Sequence, residues 1–169
     1  ESRITVLNPA TTGVDPQHLN QHINYGNLHT DAGANHALIN AQKAHSLATP
    51  VQPVVSSDGN TLYVAAFGSA QVGAFDTEDI EAANFEANFD PTAESANYIA
   101  TSGGPSGLAL DETNNRLYVL TRFGNQVEVI DLSTNNTVAT HTLHNPEPAH
   151  VVDGRPFLYD AIATSGNGE

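Results

Sequence analysis

Histidine is the residue type in this chain best suited to chemistry, with 8 in 169 residues. Five of them, His18, His22, His29, His36 and His45, fall in one stretch. His18 and His22 stand four apart, so on a helix they would share a face. Imidazoles at that spacing suit Zn²⁺, Cu²⁺ or Ni²⁺, or supply an axial haem ligand. A third ligand would come from His29, His36, His45 or Asp31. The intervening Leu19, Asn20 and Gln21 exclude the H-E-x-x-H pattern of zinc proteases. A transition metal at His18 and His22 would make this stretch a local enzyme site. Solvated or hydrogen-bonded loop histidines are the alternative reading.

Other chemistry finds less support. Asp58, Asp76, Asp111 and Asp131 close or follow apolar runs, and such oxygens can bind Ca²⁺. The calcium-loop spacing is missing, since Asp111 is followed by Glu112, Thr113, Asn114 and Asn115. Asx turns account for these aspartates. Gly103-Gly104-Pro105-Ser106-Gly107 resembles a phosphate loop but lacks the Gly-Lys-Ser/Thr ending. No G-x-S-x-G nucleophile elbow occurs, so a hydrolase is not indicated.

Composition narrows the partners. Lys+Arg is 5 and Asp+Glu is 19, giving a formal net charge of -14. Nucleic-acid binding needs clustered cations to replace phosphate counterions, and these are absent. Docking on an anionic membrane is disfavoured for the same reason. No apolar run approaches the roughly 18 residues that span a bilayer, so membrane insertion is not expected. Cysteine is absent, which removes disulfides, thiolate metal sites and a Cys nucleophile. Lysine occurs only at Lys43, leaving Asn, Thr, Ser and Gln to make most of the polar surface. That composition suits a periplasmic, extracellular or cell-surface protein. The opening Glu1-Ser2-Arg3 is what a processed product or excised piece would show.

The elements that would position these residues follow from an internal repeat. Val54 to Val64 reads as strand, Asp58-Gly59 turn, strand, and Gln71 to Asp76 as a third strand. Leu108 to Asp111, Arg116 to Leu120 and Gln126 to Asp131 form a second copy. The copies superpose at an offset of 55: Leu62 on Leu117, Tyr63 on Tyr118, Val64 on Val119, Val72 on Val127, Asp76 on Asp131. A fourth strand follows in each copy, at Tyr98 to Thr101 and at Thr137 to Leu143. Four-stranded units with such periodicity indicate propeller blades. The recurring Tyr63 and Tyr118 are expected to pack between blades.

The expected fold is therefore all-β, a partial β-propeller of about three four-stranded antiparallel blades. Residues 1–8 read as the end of a preceding blade and 9–52 as a His-rich insertion. Residues 53–104 read as a blade with an acidic insertion at 77–97, holding Glu78, Asp79, Glu81, Glu86 and Asp90. Residues 105–148 read as a second full blade and 149–169 as the start of a following one, with strands at His150 to Asp153 and Pro156 to Asp160. Asp15-Pro16 predicts a helix start carrying His18 and His22, and Asn35 to Ala48 holds a second expected short helix, through Ala37, Leu38, Ala41 and Ala44. The acidic insertion is expected to be a solvated loop. Closed propellers need about 4–8 blades, and bare sheet edges invite pairing. The remaining blades are expected from flanking sequence or another chain.

The units Asp58 to Val64, Asn115 to Val119 and Val127 to Asp131 resemble the YVTN-type β-propeller repeat family. The resemblance spans about residues 53–160, and residues 3–8 more weakly. Gly154 to Ala161 followed by Thr164 to Glu169 is similar to a stretch in large bacterial YVTN-propeller proteins. There it runs directly into a C-x-x-C-H haem-attachment motif, often with a cytochrome-peroxidase-like region. His18 to Tyr25 is similar to an insertion found in that group. The resemblance implies a c-type haem in the parent protein, with peroxidase or other oxidoreductase activity. These residues have no cysteine and stop before any such motif, so the haem is expected outside them. A non-catalytic scaffold that presents or docks the haem region is the implied role. The rival readings are a cell-surface or extracellular interaction module without a redox role, and an enzyme with a metal site in the His-rich insertion.

Overall fold

The structure is a computed structural model that describes residues 2–23 and 43–162. Strands β1 (Arg3–Asn8) and β2 (Gly13–His18) form an antiparallel hairpin. Strands β3 (Pro50–Val55), β4 (Thr61–Ala66), β5 (Gln71–Asp76) and β6 (Ile99–Ala100) make a four-stranded antiparallel sheet. Strands β7 (Pro105–Asp111), β8 (Arg116–Thr121), β9 (Gln126–Asp131) and β10 (Asn136–Thr142) make another. In both sheets the strands are neighbours in chain order. The leading strands β3 and β7 lie against each other. The chain is all-β and its fold is a partial β-propeller, as the repeat predicts.

Period-two alternation sets the faces. In β8, Leu117, Val119 and Thr121 are fully buried, while Tyr118 and Leu120 point the other way. One face of the first sheet carries Leu62, Val64, Ala66 and Phe75 into a core shared with Leu19, Leu47, Ile80, Phe85 and Tyr98. Its other face gives Ala65, Val72 and Ile99 to a second core with Leu108, Leu117, Val119 and Ile130. The Asp58-Gly59 turn occurs where the sequence predicts it, with Gly59 at φ 79°. Asn115, Asn125 and Asn135 take φ of 53°, 50° and 55°, a left-handed conformation that asparagine tolerates.

Four local expectations are corrected. Asp15-Pro16 does not start a helix; residues 13–18 are extended, with Asp15 opposite Val6 and Pro16 opposite Thr5. Asn8 drives this hairpin, its Oδ1 accepting from the N–H groups of Ala10 (3.0 Å) and Thr11 (3.3 Å). Proline is tolerated because β2 has one unpaired edge. Residues 150–153 and 156–160 are not strands; Ala149–Tyr159 forms a helix, α4. A helix satisfies its backbone internally, whereas a strand needs a neighbour. The acidic insertion is not merely solvated. It holds α1 (Thr77–Glu81), α2 (Phe85–Asn88) and α3 (Pro91–Glu94), which bury Ile80, Phe85 and Pro91. Tyr118, finally, is 38% exposed, while its counterpart Tyr63 packs against the second core. Of the helix expected within residues 35–48, positions 35–42 lie outside the described residues, and 46–48 are not helical.

Packing fixes the energetic ranking of neighbouring positions. Leu117→Ala is expected to cost about 2–5 kcal/mol, the range for emptying a buried leucine site. Tyr118→Ala in the same chain is expected to cost under about 1 kcal/mol, as at a surface site. Urea denaturation of both variants checks the order.

Candidate functional site

The histidines meet differently from the helical expectation. His18 closes β2, half-buried, and its backbone N–H donates to Glu86 Oε1 at 3.2 Å. His22 lies in the turn that follows, so no helix face unites the two rings. His22 instead approaches His45, edge to face, with ring centroids 6.3 Å apart. His45 Nδ1 lies 2.6 Å from Ser95 Oγ, which ties the ring to the acidic insertion. Asn20 makes this meeting possible. Its amide donates to the Leu47 carbonyl (3.0 Å) and accepts from the Leu47 N–H (2.8 Å). Both residues are fully buried, so the pair fastens residues far apart in sequence. His29, His36 and Asp31 lie outside the described residues. Among the described residues, no three His, Asp or Glu side chains are grouped to hold a metal.

The turn aspartates have their oxygens engaged by local donors. Asp58 accepts from the Ser56 hydroxyl (2.5 Å) and the Asn60 N–H (3.0 Å). Asp111 accepts from the Asn114 side chain (2.8 Å) and N–H (3.1 Å). Asp131 accepts from the Ser133 hydroxyl, the Ser133 N–H (2.8 Å) and Arg116 Nη1 (2.6 Å). The hydroxyl of Ser56, the amide of Asn114 and the hydroxyl of Ser133 are the main causes holding these carboxyls below the usual aspartate range. Burial acts the opposite way on Tyr98, raising its ionisation well above the ordinary value, with the charge of Glu94 adding to the effect.

The glycine run is a packing device. A Cβ on Gly103 would stand 2.3 Å from the Phe123 ring, and one on Gly104 2.7 Å from it. Only glycine lets the chain pass over this ring on its way into β7.

One polar node escaped the sequence reading. Glu128 is buried in β9, where its Oε1 accepts from the Ser102 N–H (2.9 Å) and Gln126 Nε2 (3.3 Å). Its Oε2 accepts from the Thr137 hydroxyl at 3.4 Å. The available signal was the repeat itself, because Glu128 falls on Gly73 at the offset of 55. A carboxylate replacing glycine inside a strand marks a departure from simple packing.

No protein-family model matches the chain. No curated protein matches it either. Similar solved structures include hydrazine synthase of Kuenenia stuttgartiensis, at 18% identity and a TM-score of 0.46, covering 59% of this chain and 24% of that one. A nidogen/laminin complex chain is 14% identical with a TM-score of 0.40, covering 56% and 30%. The periplasmic gluconolactonase of Pseudomonas aeruginosa is 19% identical with a TM-score of 0.44, covering 59% and 27%. The match thus spans less than a third of each of those chains.

Two measurements follow from this geometry. Glu128→Ala removes the acceptor of the Ser102 N–H and the Thr137 hydroxyl, both on exposed residues that water reaches, and is expected to cost about 0.5–1.5 kcal/mol. Glu128→Gln, which keeps an acceptor, is expected to cost less, and urea denaturation compares them. Asp58, Asp111 and Asp131 bind protons less readily when folded. Their contribution is therefore present above the unfolded aspartate value and lost as pH falls through the folded one. The urea midpoint is expected to hold above the ordinary aspartate range and to drop as pH falls below it.

Proposed function

We propose that these residues are a non-catalytic propeller scaffold segment of an exported bacterial protein, working in the periplasm or at the cell surface. The segment seats further blades and presents a c-type haem electron-transfer or peroxidase region that lies outside it. The observation that carries the scaffold reading is the contrast between repeat-related positions. Ala65 is fully buried and Val54 and Tyr63 are packed where the second sheet covers the first. Their counterparts Leu120, Ala109 and Tyr118 lie on the far face of the second sheet, where Ala109 and Tyr118 are exposed. A sheet of the same kind is the shape that would cover that face, from flanking sequence or another chain. The haem component is supported by the resemblance of Gly154 to Glu169 to the stretch that precedes C-x-x-C-H in YVTN-propeller proteins.

The test uses the full natural protein that contains this segment. Tyr118→Ala is expected to cost several-fold more stability there than in the 169-residue chain, because a blade would bury the ring. A pyridine haemochrome spectrum is expected to show covalent c-type haem. Equal cost in both proteins would end the scaffold reading. A costly Tyr118→Ala without haem would leave an interaction module and remove the redox role.

The second reading is a transition-metal centre in the His-rich insertion, with His18 and His22 as ligands. The approach of His22 to His45, with ring centroids 6.3 Å apart, supports His22 in this role. Stoichiometric Zn²⁺ uptake in calorimetry, abolished by His18→Ala and by His22→Ala, would put this reading first.

A further inference from the structure

The hairpin and the two sheets are stacked by one rule. The β1–β2 hairpin repeats β9 and β10: Asn8 falls on Asp131 and Gly13 on Asn136, an offset of 123. Each of these pairs closes its own hairpin, and Thr12 takes φ of 54° where Asn135 takes 55°. Leu7 therefore corresponds to Ile130 in the second sheet and, through the offset of 55, to Phe75 in the first. Phe75 is 4% exposed, in the core on which Ile4 and Val6 of the hairpin pack. Ile130 is fully buried, in the core it shares with Ala65, Val54 and Tyr63 of the first sheet. Both contacts press this position of one layer against the layer that precedes it in the chain.

Two faces stand at the ends of this stack. Leu7 and its cross-strand partner Val14 are 66% and 67% exposed on the front of the hairpin. Ala109 and Tyr118, also cross-strand partners, are exposed on the far face of the second sheet. An isolated exposed apolar residue is ordinary. Leu7, Ala109 and Tyr118 differ, because the equivalent Phe75, Ile130, Val54 and Tyr63 are packed wherever a neighbouring layer is present.

We infer that a second copy of this chain covers these faces, the Leu7 face of one copy seating on the Tyr118 face of the other. The chain itself names this occupant, since it carries both halves of the contact that already joins its own layers. Such a contact uses a different patch on each copy, so it closes into a ring or extends from copy to copy. Pairing of like faces would set Leu7 on Leu7 or Tyr118 on Tyr118, a juxtaposition that no two described layers make. The formal charge of -14 on each copy opposes the contact, which therefore strengthens as salt screens the repulsion. That the Tyr118 face is covered rests on the scaffold reading, and the second copy names what covers it.

Sedimentation velocity of the 169-residue chain, from about 10 µM to about 1 mM in roughly 0.3 M NaCl, tests this. Concentration-dependent species larger than the monomer are expected. Leu7→Asp and Tyr118→Asp each place an unpaired carboxylate in the contact. Each alone is expected to weaken association at least about tenfold. An equimolar mixture of the two is expected to form a dimer and nothing larger, because one intact face of each kind remains. The mixture carries the same added charge, so its recovery separates face matching from general repulsion. Ala109→Asp replaces Tyr118→Asp if that variant fails to fold. Monomer at every concentration, a single variant that associates like the wild type, or a mixture that stays monomeric would overturn the second copy as occupant. The scaffold reading is decided separately, by Tyr118→Ala in the full natural protein.

Discussion

The two four-stranded sheets meet at a dry surface where Ala65, Val72 and Ile99 face Leu108, Leu117, Val119 and Ile130. Burying each of the larger aliphatic side chains contributes about 1.5–3 kcal/mol. Among the described residues, no other contact joins the repeat copies so extensively. A single small sheet, wet on both sides, would have little to hold it together. The polar links are at the margin of this surface. The Ser57 N–H donates to Glu112 at 2.8 Å and the Leu108 N–H to Gln52 at 3.2 Å.

The opposite face of the first sheet is covered by irregular structure rather than by a full blade. Leu19 and Leu47 enter from either side of the His-rich stretch, and Ile80, Phe85 and Tyr98 from the acidic insertion. Gly73 leaves the space for this, since a Cβ there would stand 2.6 Å from Leu47. At the matching position of the second sheet, Glu128 fills the space and ties Ser102 and Thr137 together. One repeat unit thus supports two different coverings. The chemistry of the molecule collects in the coverings, the usual place for function on a regular scaffold.

Both insertions converge there. The contact of His45 with Ser95 brings the end of one against the end of the other. On the same side of the sheet Phe75 packs against Phe89 and Tyr98, with ring centroids 6.1 and 5.9 Å away. Helix α4 is a separate addition. Tyr159 meets Phe67 edge to face at 5.6 Å, and the Ala161 N–H donates to the Gly68 carbonyl at 2.8 Å. These contacts fasten the helix to the turn after β4.

Strands β3 to β5 and β7 to β10 were legible in the residues alone, because period two, Asp-Gly and Asn turns, and a repeat at constant offset are all local or self-comparing signals. The hairpin partner of β1 was not legible. Asp15-Pro16 is an equally good helix start, and only pairing with Arg3–Asn8 decides against it. The acidic residues of 77–97 announced solvent, while the apolar residues spaced between them found a sheet face to cover. The candidate sites were least legible of all. His22 and His45 are brought together by Asn20 and Leu47, and Phe75 joins Phe85 and Phe89 only when the insertion folds back on β5. Sequence determined which segments become sheet and which residues turn. Tertiary packing decided which side chains share a site, because the contacts that select among local alternatives come from residues distant in the chain.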